Sequence, residues 1–149
     1  MNKKTMVIAI NSVSGGGKTT IARELADRLE NSRAIYFKDY DVSKAKEENL
    51  EHIIIECVDY EQITGFIDLS VYIDTPLDIA LAQRILRDYS KQGQVDSILK
   101  ELDVYLHTRR TDNYSQAVNR NADLTVDGSL KTGEIVDIII KEIEKIKGG

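Results

Sequence analysis

The residues from Ser12 to Thr20 read Ser-Val-Ser-Gly-Gly-Gly-Lys-Thr-Thr, the stretch of this 149-residue chain with the most evident chemistry. It matches the glycine-rich phosphate-binding pattern that ends in Gly-Lys-Thr, except that Ser12 stands where the first glycine belongs. Consecutive glycines let the backbone turn several N–H groups onto one anion. A helix that starts directly after them adds its free N–H groups and the positive end of its dipole. On this reading Ser14, Gly15, Gly16, Gly17, Lys18, Thr19 and Thr20 form a cradle for a nucleoside triphosphate. Lys18 reaches the β- and γ-phosphates, and the Thr19 hydroxyl is a ligand for Mg²⁺. A plain glycine turn between a strand and a helix would need neither the lysine nor the threonines.

The surrounding elements are spaced to hold such a loop. Met6 to Ile10 is a short continuous apolar run, as in a strand buried on both faces of a parallel sheet. From Lys18 to Glu30, Ile21, Leu25 and Leu29 recur every four residues beside Ala22 and Ala26, which predicts an amphipathic helix with Arg23, Glu24, Asp27 and Arg28 on its polar side. Further strands are expected at Ala34–Phe37, His52–Cys57, Leu69–Asp74 and Leu124–Val126. A helix is expected from Pro76 to about Gln92, with Leu77, Leu81, Ile85 and Tyr89 on its apolar face. Another runs from Asp96 towards Asn119, and the last from about Thr132 to Lys147, burying Ile135, Ile139, Ile143 and Ile146. Strands alternating with helices give an α/β fold, three-layer α/β/α, with helices on both faces of a parallel sheet.

Composition narrows the function. The chain is expected to be one domain, residues 1–149. Twenty basic against twenty-five acidic side chains leave a net charge of −5, which argues against nucleic acid as a partner because that binding neutralises many phosphates. The single cysteine, Cys57, excludes an internal disulfide and cysteine-cluster metal sites. No run is long enough for a membrane span or a signal peptide, so a soluble, cytoplasmic protein is expected. His52 and His107 find no third metal ligand at useful spacing and read as surface residues. The Asp-x-x-Gly switch of GTPases and the signature loop of transporter ATPases are both missing.

With Ser14 to Thr20 in this setting, Phe37-Lys38-Asp39-Tyr40, Ile53-Ile54-Ile55-Glu56 and Arg84-Ile85-Leu86-Arg87-Asp88 together resemble the uridine kinase family of P-loop kinases. The wider group similar to it includes phosphoribulokinase and pantothenate kinase. The resemblance implies a five-stranded parallel sheet in the order 2-3-1-4-5, with ATP at the carboxyl ends of the strands and an Arg-bearing lid, here the helical region about 84–115. It implies that Asp39 orients or deprotonates an acceptor hydroxyl, with Asp41 as the substitute if the register is off by two. Glu56 would lie near Mg²⁺ and the acceptor. A carboxylate that closes an apolar strand is costly unless it faces a polar cleft, which agrees. Arg84 and Arg87 would clamp the transferring phosphoryl group, for which planar guanidinium donors are suited. An ordinary helical ion pair between Arg84 and Asp88 is the alternative. Arg109 and Arg110 would come from the far side of the lid or simply be solvated. Asp127-Gly128-Ser129 lies either near the adenine or in a tight turn.

The expected activity is therefore transfer of the γ-phosphoryl of ATP, with Mg²⁺, to a hydroxyl on a small, nucleoside-like acceptor. Self-association into a homo-oligomer is compatible with the sequence. One departure cuts across this. Only about fourteen residues, Lys38 to Glu51, separate the second and third strands, where uridine kinases carry a long acceptor-binding insertion, and Val58 to Asp68 is short as well. Uridine is therefore not carried over as the acceptor. A regulatory nucleotide-binding module, or a simple ATPase, is the competing expectation.

Overall fold

The structure, a computed structural model, describes residues 4–13, 16–36, 49–56, 67–89, 94–108 and 122–148. Its elements are β1 (Met6–Ser12), α1 (Lys18–Arg28), β2 (Ser32–Tyr36), β3 (His52–Glu56), β4 (Leu69–Asp74), α2 (Leu77–Asp88), α3 (Val95–Thr108), β5 (Leu124–Asp127) and α4 (Thr132–Gly148). The strands form one five-stranded sheet in the order β2-β3-β1-β4-β5. Every pairing is parallel. The fold is three-layer α/β/α, as the sequence predicts.

β1 lies at the centre because its residues suit burial from both sides. Val7, Ile8, Ala9 and Ile10 are all buried, and strand alternation divides them between the two faces. Met6, Ile8 and Ile10 join Ile54 of β3, Val71 and Ile73 of β4, Ile21, Ala22 and Leu25 of α1, and Ile135, Val136, Ile139 and Ile143 of α4 in the main core. Val7, Ile35, Ile53 and Ile55 form a second cluster on the other face. The predicted faces of α1 and α4 are therefore the buried ones, apart from Ile146, which is exposed. An ion pair between Arg28 and Asp137 at 2.5 Å joins the two helices outside the core.

Two expectations are corrected. In α2 the buried positions are Ala80 and Arg84, whereas Leu77, on the predicted apolar face, is 40% exposed. Leu81, Ile85 and Tyr89 of the predicted face are half-buried, so that face lies beside the fully buried line of Ala80 and Arg84, and its first residue is exposed. His52 is a core residue rather than a surface one, only 3% exposed. Its Nδ1 lies 3.1 Å from the Glu30 carbonyl and its Nε2 2.5 Å from Lys147 Nζ. A carbonyl can only accept, so Nδ1 carries the proton and Nε2 accepts from the ammonium. Burial and then the Lys147 charge hold the imidazole below its ordinary pKa, against the opposing pull of the Glu30 carbonyl. The His107 side chain and Cys57 lie outside what is described.

The register brings the functional ends together. Ile10 pairs with Glu56, Ser12 with Ile73 and Asp74 with Asp127, so β1, β3, β4 and β5 all end at one edge of the sheet. In open parallel sheets that carboxyl edge is where ligands bind.

Candidate functional site

At that edge the chain turns from β1 into α1 through Gly16 and Gly17. Gly17 has φ 88° and ψ 12° and precedes the first helical residue. This left-handed conformation is one that glycine adopts at little cost. The helix start carries no side-chain cap and no acidic residue in its first turn. The dipole of the helix favours an anion in the space in front of that end.

That space is a cleft of about 640 Å³ lined by Gly17, Lys18, Thr19, Thr20, Arg23, Glu56, Gln83, Arg87 and Thr132. Its size is within the usual range for sites that hold small ligands or cofactors. Lys18 and Thr19 open α1, Glu56 closes β3, Arg87 lies in the last turn of α2, and Thr132 opens α4. Four elements separated in sequence thus converge on one cavity.

Its centre is a pair. Thr19 donates its hydroxyl hydrogen to Glu56 Oε1 at 2.5 Å. The other carboxylate oxygen, Oε2, is buried and has no hydrogen-bond partner among the described residues. Leaving a buried acceptor unpaired costs roughly 1–3 kcal/mol, and more when it is charged. An oxygen-lined position with a half-satisfied carboxylate beside a hydroxyl suits a hard divalent cation that completes its shell with phosphate and water. The residues present fit Mg²⁺. Among the described residues no three His, Cys, Asp or Glu side chains cluster as a metal site.

Arg87 forms one wall. Its Nε donates to Asp88 Oδ1 at 2.8 Å and its Nη2 to Oδ2 at 3.2 Å, a two-point contact that fixes the guanidinium plane. These hydrogen bonds hold the Asp88 carboxyl below its ordinary range and raise the arginine further.

Arg84 is placed differently from what the resemblance implies. It is not part of the cleft lining. It is 6% exposed and its guanidinium pairs with Glu101 of α3. The helical alternative is also different from expectation, because Asp88 pairs with Arg87. Residues three apart on a helix differ by about 60° in direction, so Arg84 and Arg87 face different neighbours. Asp39, with Asp41 and Tyr40, lies outside the described residues, as do Ser14, Gly15, Arg109 and Arg110. So does the part of the 84–115 region at 90–93 and beyond Thr108.

Three lining residues are not among those singled out from sequence. Arg23 is three residues beyond Thr20 and Gln83 four before Arg87, so helical spacing alone puts each beside a known neighbour. Thr132 has no such signal, since only the β4–β5 pairing brings the start of α4 to the cleft. The Asp127-Gly128-Ser129 segment forms a tight turn. Ser129 donates to Asp127 Oδ1 from its N–H at 2.9 Å and its hydroxyl at 2.6 Å, which lowers the Asp127 pKa.

Comparison with known proteins agrees with this geometry. A family model described as "Phosphoribulokinase / Uridine kinase family" matches residues 50–132. A uridine kinase of Borrelia turicatae (strain 91E135) is 32% identical over 112 residues, which cover 66% of this chain and 53% of that protein. One of Geobacillus kaustophilus (strain HTA426) aligns over 207 positions at 23% identity, covering 98% of this chain and 97% of its own length. The chain spans about half the length of the Borrelia turicatae relative, and about a third of a uridine kinase of Borreliella burgdorferi (strain ZS7), of which 32% is covered. Among solved structures, deoxyadenosine kinase from M. mycoides superposes with a TM-score of 0.57 at 15% identity, over 94% of this chain and 100% of its own. Shikimate kinase from Bacteroides thetaiotaomicron gives 0.54 at 15%, over 97% and 99%. These two likenesses are of fold.

Proposed function

Since the chain belongs to the phosphoribulokinase/uridine kinase family, we propose that it binds Mg-ATP in the cleft at the end of β1 and transfers the γ-phosphoryl group to a hydroxyl of a small, nucleoside-like acceptor. The observation that carries this is the Thr19–Glu56 pair, whose buried Oε2 has no hydrogen-bond partner among the described residues, in a cavity that also holds Lys18 and Arg87.

The backbone N–H groups at Gly17 and the first turn of α1 receive phosphate oxygens. Lys18 spreads its charge over the β- and γ-phosphates, and Arg87 meets the charge on the transferring group from the opposite wall. Thr19 and Glu56 hold Mg²⁺, which supplies neutralisation of the phosphate charge. In the transfer the acceptor oxygen forms a bond to the γ-phosphorus, the bond to the β–γ bridging oxygen breaks, and ADP leaves with those electrons. The acceptor proton passes to a base, a role the family resemblance gives to Asp39. Among the described residues no helix is long and apolar enough to cross a membrane.

A second reading is favoured by one observation. The Geobacillus kaustophilus alignment needs 207 positions to accommodate this 149-residue chain. Segments present in that relative therefore have no counterpart here, and the short Lys38–Glu51 connection is one place for the difference. On this reading the chain binds nucleotide as a regulatory module, or hydrolyses it, without an acceptor. ADP release from Mg-ATP separates the readings, measured alone and with pooled nucleosides, vitamins and sugar phosphates, with Lys18→Ala as the blank. Acceptor-dependent release supports the kinase. Release without any acceptor supports an ATPase, and binding without release supports the module.

A further inference from the structure

Thr75 is the first residue beyond β4 and is buried. Its hydroxyl donates to the carbonyl oxygen of Gly16 at 3.1 Å in a buried hydrogen bond. The Gly16 carbonyl and the Gly17 N–H belong to one planar trans peptide, so they point in opposite directions. Capturing the carbonyl on the Thr75 side turns the Gly17 N–H the other way, and Gly17 lines the cleft. Glycine backbone has little conformational preference of its own, so this peptide keeps its direction only if something outside it holds on.

The surroundings make that hold firm. A Cβ on Gly16 would lie 2.5 Å from Ser12 Oγ and 2.7 Å from Ser12 Cβ, so Ser12 occupies the space beside it. Thr75 is anchored by its own N–H, which donates to Ile73 at 3.1 Å. Behind it sits Gly128, where a Cβ would lie 2.0 Å from Thr75 Oγ1 and 2.8 Å from Thr75 Cα and Cβ. Gly128 is itself held by its N–H, which donates to the Asp74 carbonyl at 2.8 Å. The β5–α4 turn therefore backs Thr75, and Thr75 backs the phosphate loop.

We infer that Thr75 is a positioning residue whose hydroxyl orients the Gly16–Gly17 peptide so that the Gly17 N–H donates to a phosphate oxygen, with Gly128 keeping that hydroxyl in place. This deepens the nucleotide reading given above and rests on it. Thr75→Val removes the hydroxyl and keeps the shape, Thr75→Ser keeps the hydroxyl, and Gly128→Ala displaces Thr75 without altering it.

The test is calorimetric titration of the full chain and these variants with magnesium tripolyphosphate and with Mg-ATP, together with the carbonyl ¹³C resonance of Gly16. Thr75→Val is expected to weaken tripolyphosphate binding about tenfold, the scale of one lost hydrogen bond, and to shift the Gly16 resonance. Thr75→Ser restores both, and Gly128→Ala weakens binding with Thr75 intact. A role confined to packing would lower Tm and leave the affinity of the folded protein alone. Binding by Thr75→Val within twofold of the parent overturns the inference. If that variant does not fold, Gly128→Ala is judged by the same limit. A parent that takes up tripolyphosphate and not Mg-ATP overturns the nucleotide reading and leaves Thr75 to be decided on the same variants. A parent that takes up neither overturns both.

Discussion

The hydroxyl of Thr19 and the carboxylate of Glu56 meet at 2.5 Å in the cleft, joining the first turn of α1 to the last residue of β3. The pair leaves Glu56 Oε2 buried without a hydrogen-bond partner among the described residues. An arrangement built for stability alone would not leave a carboxylate half-satisfied, so function and folding pull against each other at this residue.

Glu56→Gln tests that tension from both sides. Turnover with Mg-ATP is expected to fall about 100-fold or more, on the scale of removing one charge-stabilising group from a phosphoryl-transfer site, with nucleotide binding in EDTA little changed. Tm in the absence of ligand is expected to stay level or rise, because a half-buried carboxylate with one unsatisfied oxygen is gone. A lower Tm with full turnover would refute both halves.

Lys18→Ala removes the side chain expected to reach the β- and γ-phosphates. Loss of about 100- to 1,000-fold in kcat/KM is expected, with Tm within a few degrees of the parent because Lys18 is not part of the core. Initial-rate kinetics and a thermal melt on the same sample decide it.

Arg87 is expected to depend on its plane as well as its charge, given the two-point contact with Asp88 at 2.8 and 3.2 Å. Arg87→Lys keeps the charge and loses the fork. It should recover little of the activity lost in Arg87→Ala, as read from kcat for the two variants. Full recovery by lysine would show that a point charge suffices.

The Arg84–Glu101 pair, buried at the arginine and half-buried at the glutamate, ties α2 to α3. Removing one partner of a buried ion pair typically costs about 3–5 kcal/mol, and Glu101→Ala should destabilise on that scale in urea unfolding. Arg84→Met combined with Glu101→Leu should regain most of it. A double-mutant cycle with no coupling would show the pair to be inert.

His52 makes the chain sensitive to acid. Its pKa in the folded protein lies below the ordinary 6.5, so on falling pH the unfolded chain takes up a proton before the folded one. Stability is then fully present above about 6.5, falls as pH drops from there towards the folded pKa, and levels off below it. Urea midpoints between pH 7.5 and 5 should decline in the parent and less in His52→Gln. Parallel profiles would remove His52 as the cause.

The elements and the phosphate loop were legible because their signals are local. Val7 to Ile10 can only be a buried strand, Ile21 and Leu25 mark one face of α1, and Gly17-Lys18-Thr19 has a meaning independent of the rest of the chain. The centre of the inward face of α2 was not legible, because Leu77 obeys the helical period as well as Ala80 does and only the packing separates them, although Leu81 and Ile85 of the predicted face are half-buried. His52 was misread for a related reason. Its partners are the Glu30 carbonyl and Lys147, one a backbone group and the other 95 positions away. Arg84 looked equivalent to Arg87 until α3 supplied Glu101. Thr132 reached the cleft through strand order, which no neighbouring residue announces.

The central position of β1 also bears on how the molecule is made. β1 is translated first among the strands, yet its neighbours are β3 and β4, so its second edge waits for Leu69 and the residues after it. At 5–20 residues per second that delay is roughly 3–12 s. Throughout it, Met6 to Ile10 emerges as five consecutive apolar residues with open strand edges and no hairpin partner, the kind of segment that invites association with other chains. The residues that give the finished protein its driest strand thus create its most vulnerable interval on the ribosome, and yield during expression should respond to chaperone supply and growth temperature more than the stability of the folded state would suggest.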